Sequence, residues 1–425
     1  MEMAILIMKL YLLFTILVMM LYACRHFIFT INRLFGKQRM YYQDIVDSDL
    51  HTVSVLIPMH NEEKVAGNIL DLLVKADYDQ SKLEIIPIDD CSSDRTWEIL
   101  KQYAARYPFI KPFRRCKGLR GKPAALNEAI KIAVGEIIIV FDADYLPPKG
   151  IIKNIAVSFS DPEVGAVMGR VVPINTQTNL LTRLLDLERS GGYQVDQQAR
   201  YNLGFIPQYG GTVGGFRRQT VIDLGSFNTK ILAEDTELTY NLLIHGWKVL
   251  YANRAECYEE APESWDVRAN QVRRWSRGHN AVMFHYFFPL LLSNNVSFWE
   301  KLDGLFLLLI YSIPVMLLTG MCDSIALFFM GAMPIFSGIY FLIFIGAYNT
   351  YGNFAPFYEV GTACLIDGSK QRVLLLPFLI FNFFFYLWYI SRGFFDSVVD
   401  LVTFRKTTWA KTERFRDYET EDHGV

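Results

Sequence analysis

The apolar residues fall into three textures along the chain. Residues 4–23 (AILIMKLYLLFTILVMMLYA) are an almost unbroken apolar run, and a helix that crosses a bilayer needs ~20 such residues. Lys9 interrupts the run and must snorkel or face protein. No basic segment precedes the run and no A-x-A site follows it, so it reads as an uncleaved anchor rather than a signal peptide. Arg25, Arg33, Lys37 and Arg39 behind it place its C-terminal end in the cytosol.

From about residue 50 to 260, short apolar runs alternate with helical periods. Residues 53–58, 83–88 and 136–141 predict buried strands, and 62–75, 94–106 and 123–133 predict helices. Residues 179–200 predict one long amphipathic helix. Strands alternating with helices imply an α/β fold, a mostly parallel sheet covered on both faces. Ligands bind such sheets at the carboxyl ends of the strands, and Asp89, Asp90 and Asp142 all fall there.

Beyond residue 280 the text turns strongly apolar. Residues 281–299 are broken by Pro289 and two Asn, and predict a segment lying in the membrane interface. Residues 302–321, 325–348 and 373–390 predict spans, and the basic stretch 405–416 predicts a cytosolic tail. One span before the central region and three after it would put that tail outside. Either 354–366 completes a crossing or one of the spans is misread. The chain thus divides into an anchor (1–40), a cytosolic domain (50–280), interfacial and transmembrane helices (281–400) and a tail (401–425).

Composition agrees with a mixed protein. Hydrophobic residues make up 52% and aromatics 15%, rich for a soluble chain, while 20% charged residues is too many for a pure membrane bundle. A net charge of −2 provides no basic field, so no nucleic-acid partner is expected. Cys24, Cys91, Cys116, Cys257, Cys322 and Cys364 lack C-x-x-C spacing, and read as buried or free thiols in a reducing compartment. No His cluster has zinc spacing, and neither a P-loop nor a G-x-S-x-G elbow occurs.

The polar residues at the element ends carry the chemistry. Asp142-Ala143-Asp144 at a strand end offers hard oxygen ligands for a divalent cation, which can neutralise a departing diphosphate. By itself a D-x-D is more often a solvated turn. Asp90, with Asp89 beside it, can accept from a nucleobase N–H, although Ser92 and Ser93 also suit helix capping. Gly121-Lys122-Pro123 brings a cation and a close backbone approach to a helix N-terminus, suited to a diphosphate. Asp235, after Glu234, opens a predicted helix whose N-terminus keeps it ionised, fit for a base and equally for capping. Gln271-x-x-Arg274-Trp275 adds a guanidinium for phosphate and an indole for a sugar face. The bland alternative is a solvated basic helix face of Arg268, Arg273, Arg274 and Arg277.

Taken in order, these residues resemble the family-2 inverting glycosyltransferases, and specifically the membrane-integrated β-glycan synthases related to cellulose, chitin, hyaluronan and glucomannan synthases. The resemblance covers about residues 50–280. It rests on Pro58-Met59-His60-Asn61-Glu62-Glu63, Asp89-Asp90, Gly121-Lys122-Pro123-Ala124-Ala125-Leu126-Asn127, Asp142-x-Asp144, Glu234-Asp235 and Gln271-x-x-Arg274-Trp275. It implies a GT-A fold, donor binding by Glu62, Asp89, Asp90, Lys122, Asp142, Gln271 and Arg274, and Mg²⁺ or Mn²⁺ on Asp144 with Asp142. It implies Asp235 as catalytic base beside Glu234, and an acceptor site at Trp275 and Gly214. Ala233 stands where the family usually has Thr, and the FxVTxK gating motif of bacterial cellulose synthase is absent. Tyr209-Gly210-Gly211-Thr212-Val213-Gly214 is similar to the glucomannan-synthase pattern and favours a hexose donor without an N-acetyl group. Trp409-x-x-Thr412-x-Arg414 is similar to a gating element of some synthases.

The expectation is a processive enzyme that polymerises a β-hexan from UDP-glucose and threads the growing glycan through the bilayer. The alternatives are transfer of one sugar to a membrane lipid, in the manner of ceramide glucosyltransferases, and a chitin- or hyaluronan-type synthase using UDP-N-acetylglucosamine. A non-catalytic scaffold built on the same domain is the remaining rival.

Overall fold

The computed structural model describes residues 2–39, 50–332 and 354–403. The tail motif at Trp409, the basic stretch 405–416 and most of the 325–348 span lie outside the described residues.

The chain opens with α1 (Glu2–Phe35) and then builds a seven-stranded sheet. Its strands are β1 (Val53–Met59), β2 (Leu83–Asp89), β3 (Phe113–Arg114), β4 (Ile137–Val140), β5 (Val164–Pro173), β6 (Gly214–Arg217) and β7 (Lys248–Glu259), in the spatial order β3-β2-β1-β4-β6-β5-β7. The first four strands are parallel, β6 runs antiparallel between β4 and β5, and β7 pairs parallel with β5. Val53, Val55 and Ile57 feed one core and Leu56 the other, because successive strand residues point to opposite faces.

Three covering helices lie close to the predicted positions, α2 (Ala66–Val74), α3 (Thr96–Arg106) and α4 (Lys122–Ile132), and α5 (Ile151–Ala156) is a fourth that the pattern did not mark. The long helix expected over 179–200 is three pieces in one rod. They are α6 (Leu180–Ser190), a π-helical segment (Gly191–Gln197) and α7 (Gln198–Leu203). π-Helical turns are uncommon and gather at functional sites. The α8 helix (Arg218–Asp223) follows β6, and α9 (Glu234–Ile244) precedes β7.

The C-terminal part differs from the hydropathy reading in three ways. Residues 265–292 form one helix, α10 (Trp265–Leu292), so the Gln271–Trp275 motif and the expected interfacial segment share a single rod that Pro289 does not end. The span expected over 302–321 is broken between α11 (Phe298–Leu309) and α12 (Ile313–Phe329), which meet at 68°. The third difference lies at 354–366. That stretch is α13 (Ala355–Ile366), 12 residues with Glu359 and Thr362 buried. At ~1.5 Å per residue this is about 18 Å, too short to cross alone. The 3₁₀ segment Lys370–Phe378 leads into α14 (Leu379–Thr403). Among the described residues, Glu2–Phe35 and Lys370–Thr403 are each long and apolar enough to cross a membrane, and the bent α11–α12 pair is a third candidate.

The strongest clamp between the sheet domain and the apolar helices is the α10–α14 crossing. Arg273 Nη2 donates to Asp396 (2.8 Å), Arg277 Nη2 to Asp400 (2.7 Å), and Ser276 Oγ to the Ile390 carbonyl (2.7 Å). Gly393 sits at the contact, where a Cβ would meet the Arg273 carbonyl at 2.5 Å. Two arginines that could have formed a solvated face are therefore structural. Gly393→Leu should cost ~1–3 kcal/mol by overpacking and lower the thermal midpoint of the detergent-purified protein. An unchanged midpoint would contradict this packing.

Candidate functional site

The carboxyl ends of β1, β2 and β4, the loop before β6, the start of α9 and one face of α10 open into a single cavity of about 1060 Å³. Asp90, Lys122, Asp142, Asp144, Glu234, Asp235, Gln271, Arg274 and Trp275 all line it, although they span 186 positions of sequence (275 − 90 + 1). Topology brings them together: strand ends converge, and α10 lies across the opening.

At one end, Asp90 is held in place by its neighbours. Arg115 Nη1 donates to one carboxylate oxygen (2.6 Å) and the Gly121 amide to the other (2.9 Å). His60 Nδ1 lies 2.9 Å from the Asp90 carbonyl and also lines the cavity. The Cys91 and Cys116 sulfurs form a disulfide, which corrects the expectation of free thiols. Strand register explains the pairing. Asp89 lies opposite Arg114 across β2 and β3, so the residues two further on face one another, a proximity that a sequence separation of 25 conceals.

Three residues expected in the site lie outside it. Asp89 is fully buried, accepts from the Ser92 amide at 2.9 Å and pairs with Arg114 Nε at 3.0 Å. It closes the turn after β2, with its side chain on the other side of the backbone from Asp90. Glu62 is buried and does not line the cavity; its amide donates to Thr96 Oγ1 and its carbonyl accepts from Val65 and Ala66, fixing the entry to α2. Gly214 lies inside β6, where a Cβ would sit 2.4 Å from the Val167 carbonyl. Close strand packing requires that glycine, and Gly210 and Thr212 of the same loop are the ones that reach the cavity.

The D-x-D turn is braced from three sides. Lys122 Nζ donates to Asp142 (2.6 Å), the Asp142 amide donates to Thr212 Oγ1 (3.1 Å), and Tyr145 donates to Glu259 (2.7 Å), which Arg189 also pairs. Asp144 is buried at the cavity wall. No group of three or more His, Cys, Asp or Glu at metal distance occurs among the described residues. A Mg²⁺-type ion is held by one or two carboxylates plus substrate phosphates rather than by an all-protein cage. The donor set of Asp142 and Asp144 fits that kind of site.

Glu234 and Asp235 begin α9. Burial, then the neighbouring Asp235 charge, pushes Glu234 up to about 7, while Lys122 opposes the shift. Asp235 is half-buried, accepts from the Thr236 amide (2.7 Å) and packs against Gly211, whose φ is +75°. A Cβ on Gly211 would lie 3.1 Å from the Asp235 carboxylate. On α10, Arg268 pairs with Glu188 (2.7 Å), donates to Gln271 (2.7 Å) and stacks over Trp275 (4.9 Å). Arg274 has no carboxylate partner among the described residues and is the guanidinium of this helix that lines the cavity. Burial pulls Arg274 below its usual range and His279 below its own. Sequence reasoning did not single out His60, Arg189, Tyr193, Gln197, His279 or Tyr311. His60 lay inside a quoted motif, whereas the others come from elements without one.

The comparisons with known proteins agree with this geometry. Residues 54–224 match Glycosyl transferase family 2. The probable glycosyltransferase YdaM of Bacillus subtilis is 36% identical over 241 residues, 56% of this chain and 57% of that protein. The β-monoglucosyldiacylglycerol synthase of Synechocystis is 32% identical over 264 residues, 62% of this chain and 55% of that protein. The chain thus matches little more than half the length of these curated relatives. The mannosyltransferase PcManGT from Pyrobaculum calidifontis, solved with GDP-Man and Mn²⁺, shares the fold at a TM-score of 0.58 and 20% identity, over 84% of this chain and 98% of that one. The architecture is a GT-A fold, and residues 54–224 within it are similar to family 2 of the glycosyltransferases.

Two predictions follow from the α9 geometry. Between about pH 4.5 and 7 folded Glu234 keeps a proton that the unfolded chain releases, so its contribution to stability falls as pH rises through that window. Glu234→Gln, which mimics the protonated acid, should therefore raise the thermal midpoint of ligand-free protein more at pH 8 than at pH 5; equal shifts would contradict the assignment. Gly211→Ala should displace Asp235 and lower turnover about 10²-fold, with nucleotide affinity retained. A parallel loss of nucleotide affinity would mean the loop collapses instead.

Proposed function

We propose that this protein transfers a single hexose from a nucleotide diphosphate donor to the hydroxyl of a membrane lipid at the cytosolic membrane face, with UDP-glucose as donor and diacylglycerol as acceptor. One observation carries the reading. The cavity that gathers the carboxylates continues past Tyr311 to Leu307 and Ile310 at α11 and to Pro356 and Val360 of α13, so it opens among the apolar helices. The relatives whose printed names specify lipid glucosylation support the same acceptor class, and favour single transfer over the expected polymerisation.

The chemistry is assigned to the lining residues. Asp235 takes the proton from the acceptor hydroxyl, whose oxygen attacks the anomeric carbon as the bond to the diphosphate oxygen breaks, with inversion. Glu234, protonated below about pH 7, leaves the negative charge of the pair on Asp235. Lys122 and Arg274 face the diphosphate, and the half-buried Trp275 packs against the acceptor. Asp144, with Asp142, would hold Mg²⁺ or Mn²⁺, which when bound offsets charge on the leaving nucleotide.

Asp235→Asn should reduce hexose transfer from UDP-glucose to diacylglycerol in vesicles by about 10²–10⁴-fold, with UDP binding unchanged. Retained transfer would remove Asp235 as the base. Chelation should abolish wild-type transfer and added Mg²⁺ or Mn²⁺ should restore it; an Asp144→Ala variant active in metal-depleted buffer would overturn the metal assignment.

A further inference from the structure

The lining of the cavity splits by charge. The end formed by the sheet and α10 presents Arg120, Lys122 and Arg274 to an anionic donor. Its helix side is different: His26 of α1, Asp196 and Gln197 of the π-helical segment, Arg200 of α7 and Glu359 of α13 line the wall. Every cation there is matched. Arg25 pairs with Asp196 (2.8 Å) and Asp303 (3.3 Å), Arg200 pairs with Asp196 (2.5 Å) and with Asp303, and His26 bonds to Glu359. Two guanidinium groups meet three carboxylates and one imidazole, so no positive charge is left over for a phosphate. Burying such ions costs several kcal/mol each unless they are paired, and charges kept in an apolar helical region are functional candidates by default.

A polar rail joins this network to the catalytic end. Thr236, next to Asp235, accepts from Gln208 Nε2 (2.8 Å), and the Gln208 amide and carbonyl bond to the Gln197 side chain (3.0 and 3.2 Å). Gln197 adjoins Asp196. Side-chain amides and paired carboxylates in this order offer donors and acceptors to hydroxyl groups. The π-helical turn supplies the opening, since a Cβ on Gly192 would meet nothing within 4 Å. Depth agrees as well. Arg25 and His26 directly follow the apolar run 4–23, at the level where lipid headgroups lie.

We infer that the wall formed by His26, Asp196, Gln197, Arg200 and Glu359 is a headgroup subsite that selects an uncharged polyol lipid, a glycerol or sugar headgroup, and rejects phosphate-bearing lipids. The inference rests on the lipid-acceptor reading and gives it a chemical class. The Gln197 and Glu359 side chains bind the headgroup hydroxyls, and the alkyl tails leave the cavity between α11 and α13.

The test uses the full chain in nanodiscs and radiolabelled 1-O-dodecylglycerol as the probe, with dodecyl β-glucoside and dodecyl phosphate as competitors and UDP binding as the fold control. The glucoside should displace the probe at a concentration at least about tenfold below that of the phosphate. Gln197→Ala and, as a milder change, Glu359→Gln should each weaken probe binding about fivefold, the scale of one lost hydrogen bond, with UDP affinity unchanged. Equal competition by dodecyl phosphate, or wild-type probe affinity in both variants, would overturn the subsite. If the probe binds as expected but no lipid receives a hexose, the proposed activity fails and the subsite stands.

Discussion

Like-charge crowding is the constraint on which the rest of this structure depends. Asp90, Asp142, Asp144, Glu234 and Asp235 line one cavity, and a partly dry site does not tolerate that much negative charge unaided. The fold answers in several ways. Arg115 and the Gly121 amide neutralise Asp90, Lys122 reaches Asp142, and the Glu234–Asp235 pair keeps a proton to near neutrality. Asp142 and Asp144 are hard oxygen donors of the kind that a divalent cation takes together with a diphosphate. An arrangement that costs stability in the empty protein is complementary to a charged donor.

The helices outside the sheet serve the same site. Helix α10 links the cavity to the apolar helices: Gln271, Arg274 and Trp275 line the cavity while Arg273 and Arg277 grip α14. Adjacent arginines on one helix therefore do unlike jobs, since positions one apart point in different directions. Gly278 allows the same rod to press on the loop before α9, where a Cβ would lie 2.9 Å from the Ala233 amide. The side chain at 233 is small, and that close approach is a physical reason for it.

Much of the fold was legible in the sequence because strand–helix alternation and acidic residues at strand ends are local signals. β1, β2, β4 and α2 to α4 fall within a few residues of their expected bounds, whereas the two-residue β3 had no expected counterpart. The site was legible where motifs mark it, at Asp90, Lys122, Asp142, Asp144, Asp235 and Trp275. It was illegible where a role depends on which way a side chain turns. Asp89 and Asp90 read alike, yet only one reaches the cavity, and Gly214 differs from Gly210 only through strand packing. The Cys91–Cys116 pairing needed the β2–β3 register, and the broken α11–α12 rod needed tertiary context that hydropathy does not encode. The proposed headgroup wall carries no motif at all, because its pairs join residues as far apart as 333 positions.

The central claim, that a hexose passes from a nucleotide donor to a lipid entering between the helices, is tested most directly by the product. Protein in vesicles containing diacylglycerol, supplied with labelled UDP-glucose and Mg²⁺, should yield one chloroform-soluble glycolipid whose mass exceeds that of the acceptor by a single hexose residue. A water-insoluble, glycanase-digestible polymer with no labelled lipid would contradict the account and return the protein to the processive synthases.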